Sequence, residues 1–306
     1  MFDHFLWEIL ICPVLIALAI RLLADRLRPE TAVAFLVTSL AATAAAVLLT
    51  LGVFALKAVA ELPVTGALLG LSDAYVRADT AAEPWASWLS LVLLAAAVTG
   101  IVHVVRIHRR DTAYARRFTA LTATDGVVTV DDDRAEAFAV PGSPGRIVVT
   151  TGMRAALDDH RFAALLAHER AHLHARHHLM VLLVHLSAAV HPAFRLLVRQ
   201  FDHLVERAAD ERAATEIADR RTVAHAVGTA ALVSEYTHRA GRLRVAPSRT
   251  DLSRAGTVPR RVASLLTPRR PAPRPLLAIP AAIATFALVW TAECVIDLGE
   301  LLAAAS

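Results

Sequence analysis

The chain has 306 residues, 56% of them apolar, with a mean hydropathy of +0.50 and a formal net charge of +4. That much hydrocarbon excludes a wholly water-soluble protein, and so small a charge without a basic recognition motif excludes a dedicated nucleic-acid binder. The two cysteines, Cys12 and Cys294, each lie inside an apolar block, which excludes a disulfide or thiolate-metal framework.

The first apolar block, residues 4 to 23, opens Met-Phe-Asp-His-Phe-Leu-Trp-Glu. It lacks the basic start and small-residue cleavage site of a secretory signal, so it is expected to stay as a membrane span. Three further blocks, 31 to 56, 86 to 107 and 275 to 298, are also near the roughly 20 apolar residues that cross a bilayer. Trp7, Trp85, Trp88 and Trp290 fall in or beside these blocks, several near their ends, as interfacial tryptophans do. Arg21, Arg26 and Arg28 follow the first block, and Arg106, Arg109, Arg110, Arg116 and Arg117 follow the third. The loop from Ala58 to Pro84 sets Arg77 against Glu61, Asp73, Asp79 and Glu83. Arginine accumulates in short cytoplasmic loops, which predicts a multi-pass cell-membrane protein with its N-terminus outside and residues 108 to 274 in the cytoplasm.

Within that region Val127–Val130, Ala137–Val140 and Arg146–Thr151 read as a small antiparallel sheet, with Gly and Pro turns between them. From Ala155 the pattern is helical. Met180 to Val198 is again apolar but is interrupted by His185, His191-Pro192 and Arg195, so a helix buried in the fold or lying at the membrane surface is preferred over a further span. Arg239 to Arg274 carries arginines and prolines against the single acid Asp251 and reads as a basic connector, solvated or drawn to anionic headgroups. The expected fold class is mainly α, a multi-span membrane protein with a cytoplasmic α+β domain. The expected division is 1–107 membrane region with three helices, 108–238 cytoplasmic domain, 239–274 connector, and 275–306 last span and tail.

The chemistry concentrates in His168-Glu169-Arg170-Ala171-His172. On a helix His172 lies one turn along and about 40° round from His168, so both imidazoles can reach one ion. Glu169 projects close to that face and can touch a water held there without ligating, the arrangement that metal-assisted peptide hydrolysis needs. Further along stands Glu206-Arg207-Ala208-Ala209-Asp210. Glu206 can complete a His₂Glu set with the fourth position open, and Asp210, one turn on, can accept the other ring N–H of a ligating histidine. The competing reading of each is a polar helix face or a solvated carboxylate. His174, His177 and His178 point away from His168 on a continued helix and read as surface or packing residues, and Asp202 and His203 stand near Glu206 in sequence but not at its i+4 position, so neither is taken as a ligand.

The membrane spans, Ala137-Phe138-Ala139-Val140-Pro141, Gly145-Arg146-Ile147-Val148-Val149-Thr150-Thr151-Gly152, the H-E-x-x-H helix and the later E-x-x-A-D together resemble the BlaR/MecR-type membrane zinc metallopeptidases over about residues 110 to 215. The last two features are also similar to HtpX-type membrane proteases. The first resemblance implies a gluzincin endopeptidase with a cytoplasmic catalytic domain, Zn²⁺ on His168, His172 and Glu206, and Glu169 as general base. It further implies signal transduction through cleavage of a cytoplasmic regulator such as a transcriptional repressor. Beta-lactam sensors of that type carry a Ser-x-x-Lys nucleophile, whereas Phe54 stands three residues before the only lysine, Lys57, so direct acylation is not expected. The substrate is expected to pair along a sheet-edge strand, with Ala137, Phe138, Ala139 and Val140 the candidate. Expected partners are a protein or peptide substrate and membrane lipids, with no direct nucleic-acid contact; a homodimer is left open. A housekeeping protease of damaged membrane proteins is the alternative, and a non-catalytic scaffold with a structural metal site a third reading.

Overall fold

The computed structural model describes residues 5–65, 72–80, 84–119, 121–240, 258–267 and 278–305. A π-helical turn, Leu6–Ile11, runs into α1 (Cys12–Leu23), and a 3₁₀ turn, Ala24–Arg26, closes it. α2 (Pro29–Ala60) begins on a proline at the first helical position, where its missing N–H costs nothing. α3 (Asp73–Thr80) and α4 (Pro84–Thr119) follow. Among the described residues three helices are long and apolar enough to cross a membrane: Leu6–Arg26, Pro29–Ala60 and Pro84–Phe118. The most apolar stretch of α2 is 56% buried and that of α4 only 11%, so α2 is the centre of the bundle and α4 its periphery. Thr43 satisfies its hydroxyl on the Ser39 carbonyl of its own helix, as a polar group away from water must. The fourth expected span starts outside the described residues and continues as the single helix α11 (Ala278–Ala305), packed on α1 and α2. Cys12 and Cys294 are free and buried.

The sheet is mixed, not antiparallel throughout. The order is β1 (Val127–Val130), β3 (Arg146–Thr150), β2 (Ala137–Val140), with β3 parallel to β1 and antiparallel to β2. β3 is buried along almost its whole length, while the other two expose middle positions, and the most continuously apolar strand takes the centre. β2 is therefore an edge. One face of the sheet packs Val128, Val140 and Val148 against Ala115 and Phe118 at the end of α4, with Phe118 meeting Phe138 edge to face at 5.5 Å. The other packs Ile147, Val149 and Met153 against Leu165 and Ala230. The chain leaves β3 through Gly152, where a Cβ would stand 2.2 Å from the Asp133 carbonyl oxygen, so only glycine fits.

After β3 come α5 (Thr151–Ala156), α6 (Asp159–His174), α7 (His177–Val190), α8 (Pro192–Ile217), α9 (Arg220–Ala240) and α10 (Val258–Leu266). Asp158 caps α6, accepting from the Arg161 amide at 2.8 Å. The apolar stretch 180 to 198 is not one helix: it breaks at His191-Pro192, and the 14 residues of α7 extend about 21 Å, short of the roughly 30 Å hydrocarbon layer. Most of the basic segment 239 to 274 lies outside the described residues. Its described part, α10, is not a free linker but packs on α8 and α9, with Leu265 buried among Ala213, Ala214, Val223 and Ala224.

Candidate metal centre

Two helices carry the centre, and small residues let them approach. Ala164 and Ala167 of α6 share a core with Ala213 and Ala214 of α8, so the backbones lie close enough for short side chains to meet between them. His168 Nε2 and His172 Nε2 are 3.1 Å apart, and Glu206 brings Oε2 to 3.5 Å from His168 Nε2 and Oε1 to 3.6 Å from His172 Nε2. One donor atom from each of the three lies within 4.8 Å of the others. Zn²⁺ bonds of ~2.0–2.1 Å in a tetrahedron would separate neighbouring donors by about 3.3–3.4 Å, so these residues fit zinc.

The remaining ring nitrogens face groups outside the triangle, which leaves Nε2 turned inward. His168 Nδ1 lies 3.0 Å from Asp210 Oδ1, one turn beyond Glu206 on α8. His172 Nδ1 lies 2.9 Å from His177 Nδ1. With His172 carrying its proton on Nδ1, His177 accepts it, and His172 Nε2 keeps a lone pair for a metal. The expectation that His177 points away is overturned. α6 ends at His174, and Arg176 takes a left-handed conformation with φ 51°, so the helical phase counted from His168 does not continue into α7. His177 is 5% exposed and faces inward.

Arg261 of α10 is a residue of the centre that the sequence did not single out. It is 2% exposed and donates to both Asp210 oxygens, Nε to Oδ2 at 2.8 Å and Nη2 to Oδ1 at 2.7 Å, while Nη1 lies 2.9 Å from Glu206 Oε2. The guanidinium thus bridges Glu206 and Asp210, one turn apart on α8. Nothing in the sequence distinguishes Arg261 from the other arginines around it.

The electrostatics follow from burial among these charges. Burial works against an ionised Glu206, and Arg261 and the histidines outweigh it, holding the carboxyl below its ordinary range; Asp210 behaves alike. Burial pushes His172 down to about 3, which leaves it neutral, the form that ligates. Burial opposes charge on His168 too, but its contacts with Asp210 and Glu206 prevail and hold it up to about 10. Glu169 is pushed up to about 7 by burial, against the pull of the Ala139 amide of the edge strand β2, on which α6 packs. The candidate base, the ligand triangle and the sheet edge are therefore adjacent.

Residues 104–246 match the model of Peptidase family M48, which supports an M48 metallopeptidase and implies a zinc enzyme. With the apolar helices it suggests a membrane metallopeptidase. No curated protein and no solved structure matches the chain significantly.

Proposed function

We propose that the chain is an integral-membrane zinc endopeptidase in which His168, His172 and Glu206 hold the metal and Glu169 is the general base. The observation that carries this is the meeting of two buried imidazole nitrogens, 3.1 Å apart, with the half-buried Glu206 carboxylate, whose two oxygens stand 3.5 and 3.6 Å from them, beside the buried Glu169 carboxyl. When bound, zinc supplies Lewis-acid polarisation of the scissile carbonyl and a more acidic water. Glu169 takes the proton of the attacking water and passes it to the departing amine. Its own proton affinity, raised by burial, suits both halves of that task. Asp210 and His177 hold the two ligating rings by their outer nitrogens, and Arg261 holds Asp210.

The substrate backbone extends along β2, whose outer edge has no strand partner among the described residues and whose Ala139 amide already reaches the site. Arginine placement sets the catalytic domain in the cytoplasm. The substrate is then a cytoplasmic regulatory protein, such as a transcriptional repressor, in keeping with the resemblance to BlaR/MecR-type enzymes.

The test is metal analysis and proteolysis on one preparation. Glu169→Gln retains zinc and lowers cleavage ~10²–10⁴-fold, the usual worth of a general base. Cleavage that survives in this variant refutes the assignment, and absence of zinc from the wild type refutes the centre. Cleavage of one repressor in a reconstituted mixture supports the signalling role, and broad digestion of unfolded membrane proteins replaces it with housekeeping.

A further inference from the structure

α7 and the start of α8 are too short to cross a membrane, yet they pack where membrane-crossing helices pack. α7 lies against α2 and α4, and Val184, Ala188, Phe194 and Leu197 share one core with Ile16, Ile20, Leu36 and Leu40 of the first two spans. The depth of this hairpin is set by contacts along its length. His178 lies in the field of His108 at the arginine end of α4, and Gln200 Nε2 donates to the Arg21 carbonyl at the arginine end of α1, 3.3 Å away. Between these, Ala189 abuts Gly100 inside α4, where a Cβ would come within 3.2 Å of the Ala189 Cβ. The ring of His191, at the turn, comes to the backbone of Ile9. Ile9 precedes Arg21 by twelve residues, about 18 Å along a helix, which is past the middle of a ~30 Å hydrocarbon layer.

A turn at that depth survives only if its polar backbone groups are satisfied within the protein. The amides of the turn meet this requirement: that of His191 donates to the Ser187 carbonyl, that of Phe194 to the His191 carbonyl, and that of Ala193 to His191 Nδ1 at 3.3 Å. Pro192 has no amide to satisfy. Arg195 turns Nε to the Ala188 carbonyl and so closes the C-terminal end of α7, where a cation is favoured. Leu179 and Leu183 of α7 are each 41% exposed, an apolar outer surface continuous in kind with Val98, Val102 and Val105 of α4, while on α8 Leu196 is 65% exposed between the exposed Arg195 and Arg199.

We propose that α7 and the first half of α8 form a re-entrant hairpin whose outer face contacts lipid acyl chains, turning back inside the bilayer at His191. Its second arm ends in the metal centre: Glu206 lies six residues beyond Gln200, about 9 Å past the level of the Arg21 carbonyl. The hairpin thereby holds the centre next to the membrane surface at a fixed height. This rests on reading α1, α2 and α4 as spans, and not on catalysis.

The test uses the full chain in liposomes, with Cys12→Ala and Cys294→Ala as background and a spin label on single cysteines. Leu183→Cys and Leu179→Cys report on α7, and Leu232→Cys, on the 71% exposed position of α9, reports on water. The expected result is severalfold greater access of dissolved oxygen than of a water-soluble nickel chelate at 179 and 183, larger at 183, with the reverse at 232. Nickel access at 183 equal to that at 232 overturns the proposal, as does protection from both reagents, which would place protein there. All three positions are surface leucines, so core packing is untouched. Phosphorus-detected distances from the labels to the headgroups give an independent depth order, and a label at 183 shallower than one at 179 also overturns the hairpin.

Discussion

Asp210 is the most informative residue to change, because it does two separable things. Its Oδ1 lies 3.0 Å from His168 Nδ1, and both its oxygens accept from Arg261. Asp210→Asn keeps the shape and removes the charge. His168 then loses the carboxylate that fixes its orientation, a change that typically lowers metal affinity 10–100-fold, or about 1.4–2.7 kcal/mol. Arg261, 2% exposed, is left with Glu206 as its remaining carboxylate contact from α8. Breaking a buried ion pair by removing one partner costs ~3–5 kcal/mol, and the surviving contact puts the expected loss at the lower end, about 3 kcal/mol. Adding Arg261→Met removes the stranded charge. The double variant is therefore more stable than Asp210→Asn alone, yet binds zinc no better than Asp210→Asn, because His168 is still unheld. Thermal unfolding of metal-free protein in detergent reads the first quantity, and competition with a chromophoric chelator reads the second. A double variant no more stable than the single one, or Asp210→Asn with wild-type zinc affinity, refutes the reasoning.

Other expectations follow from single contacts. His177→Phe keeps a ring in place but leaves His172 Nδ1 without its acceptor, and zinc affinity falls ~10–100-fold by the same chelator competition; an unchanged affinity would make His177 a packing residue only. Ala139→Pro removes the amide that reaches Glu169 and blocks backbone pairing at the edge of β2, where a proline ring is tolerated. Cleavage drops ~10–100-fold, the worth of one hydrogen bond to a charged group, while zinc content measured by mass spectrometry stays at the wild-type level. Asp219 caps α9, accepting from the Arg221 amide at 2.9 Å and the Thr222 hydroxyl at 2.6 Å, which holds its carboxyl below the ordinary range. A depressed folded pKa means that the cap stabilises above the unfolded value of ~3.9 and is lost as pH falls through the folded one. The stability gap between wild type and Asp219→Ala, followed by helical circular dichroism, therefore closes in acid; a gap that persists below that range argues against the cap.

What could be read from the sequence was local or compositional. The i, i+4 spacing of His168 and His172 sets two rings on one face of any helix, and Glu206 and Asp210 repeat that logic on a second helix. Strand limits at Val127–Val130 and Ala137–Val140 follow from runs of apolar residues between turns. The apolar blocks announced themselves by length, and the interruptions after Met180 favoured a buried or surface helix over a further span, but a proline break tells where a helix stops and not which way the chain then goes.

The rest needed coordinates. Strand order escaped the sequence because β3 enters between its neighbours, and pairing direction is settled by which strand has both faces covered. His177 was misdirected by extending a helical phase across Arg176, whose left-handed backbone erases it. Arg261 carries no local mark, being one arginine among many, and reaches Asp210 across 51 residues of chain. Composition and spacing determine which side chains share one helix face, since helix geometry is a property of short segments. Which helices then meet, and which distant cation lies between their carboxylates, is decided by burial in three dimensions.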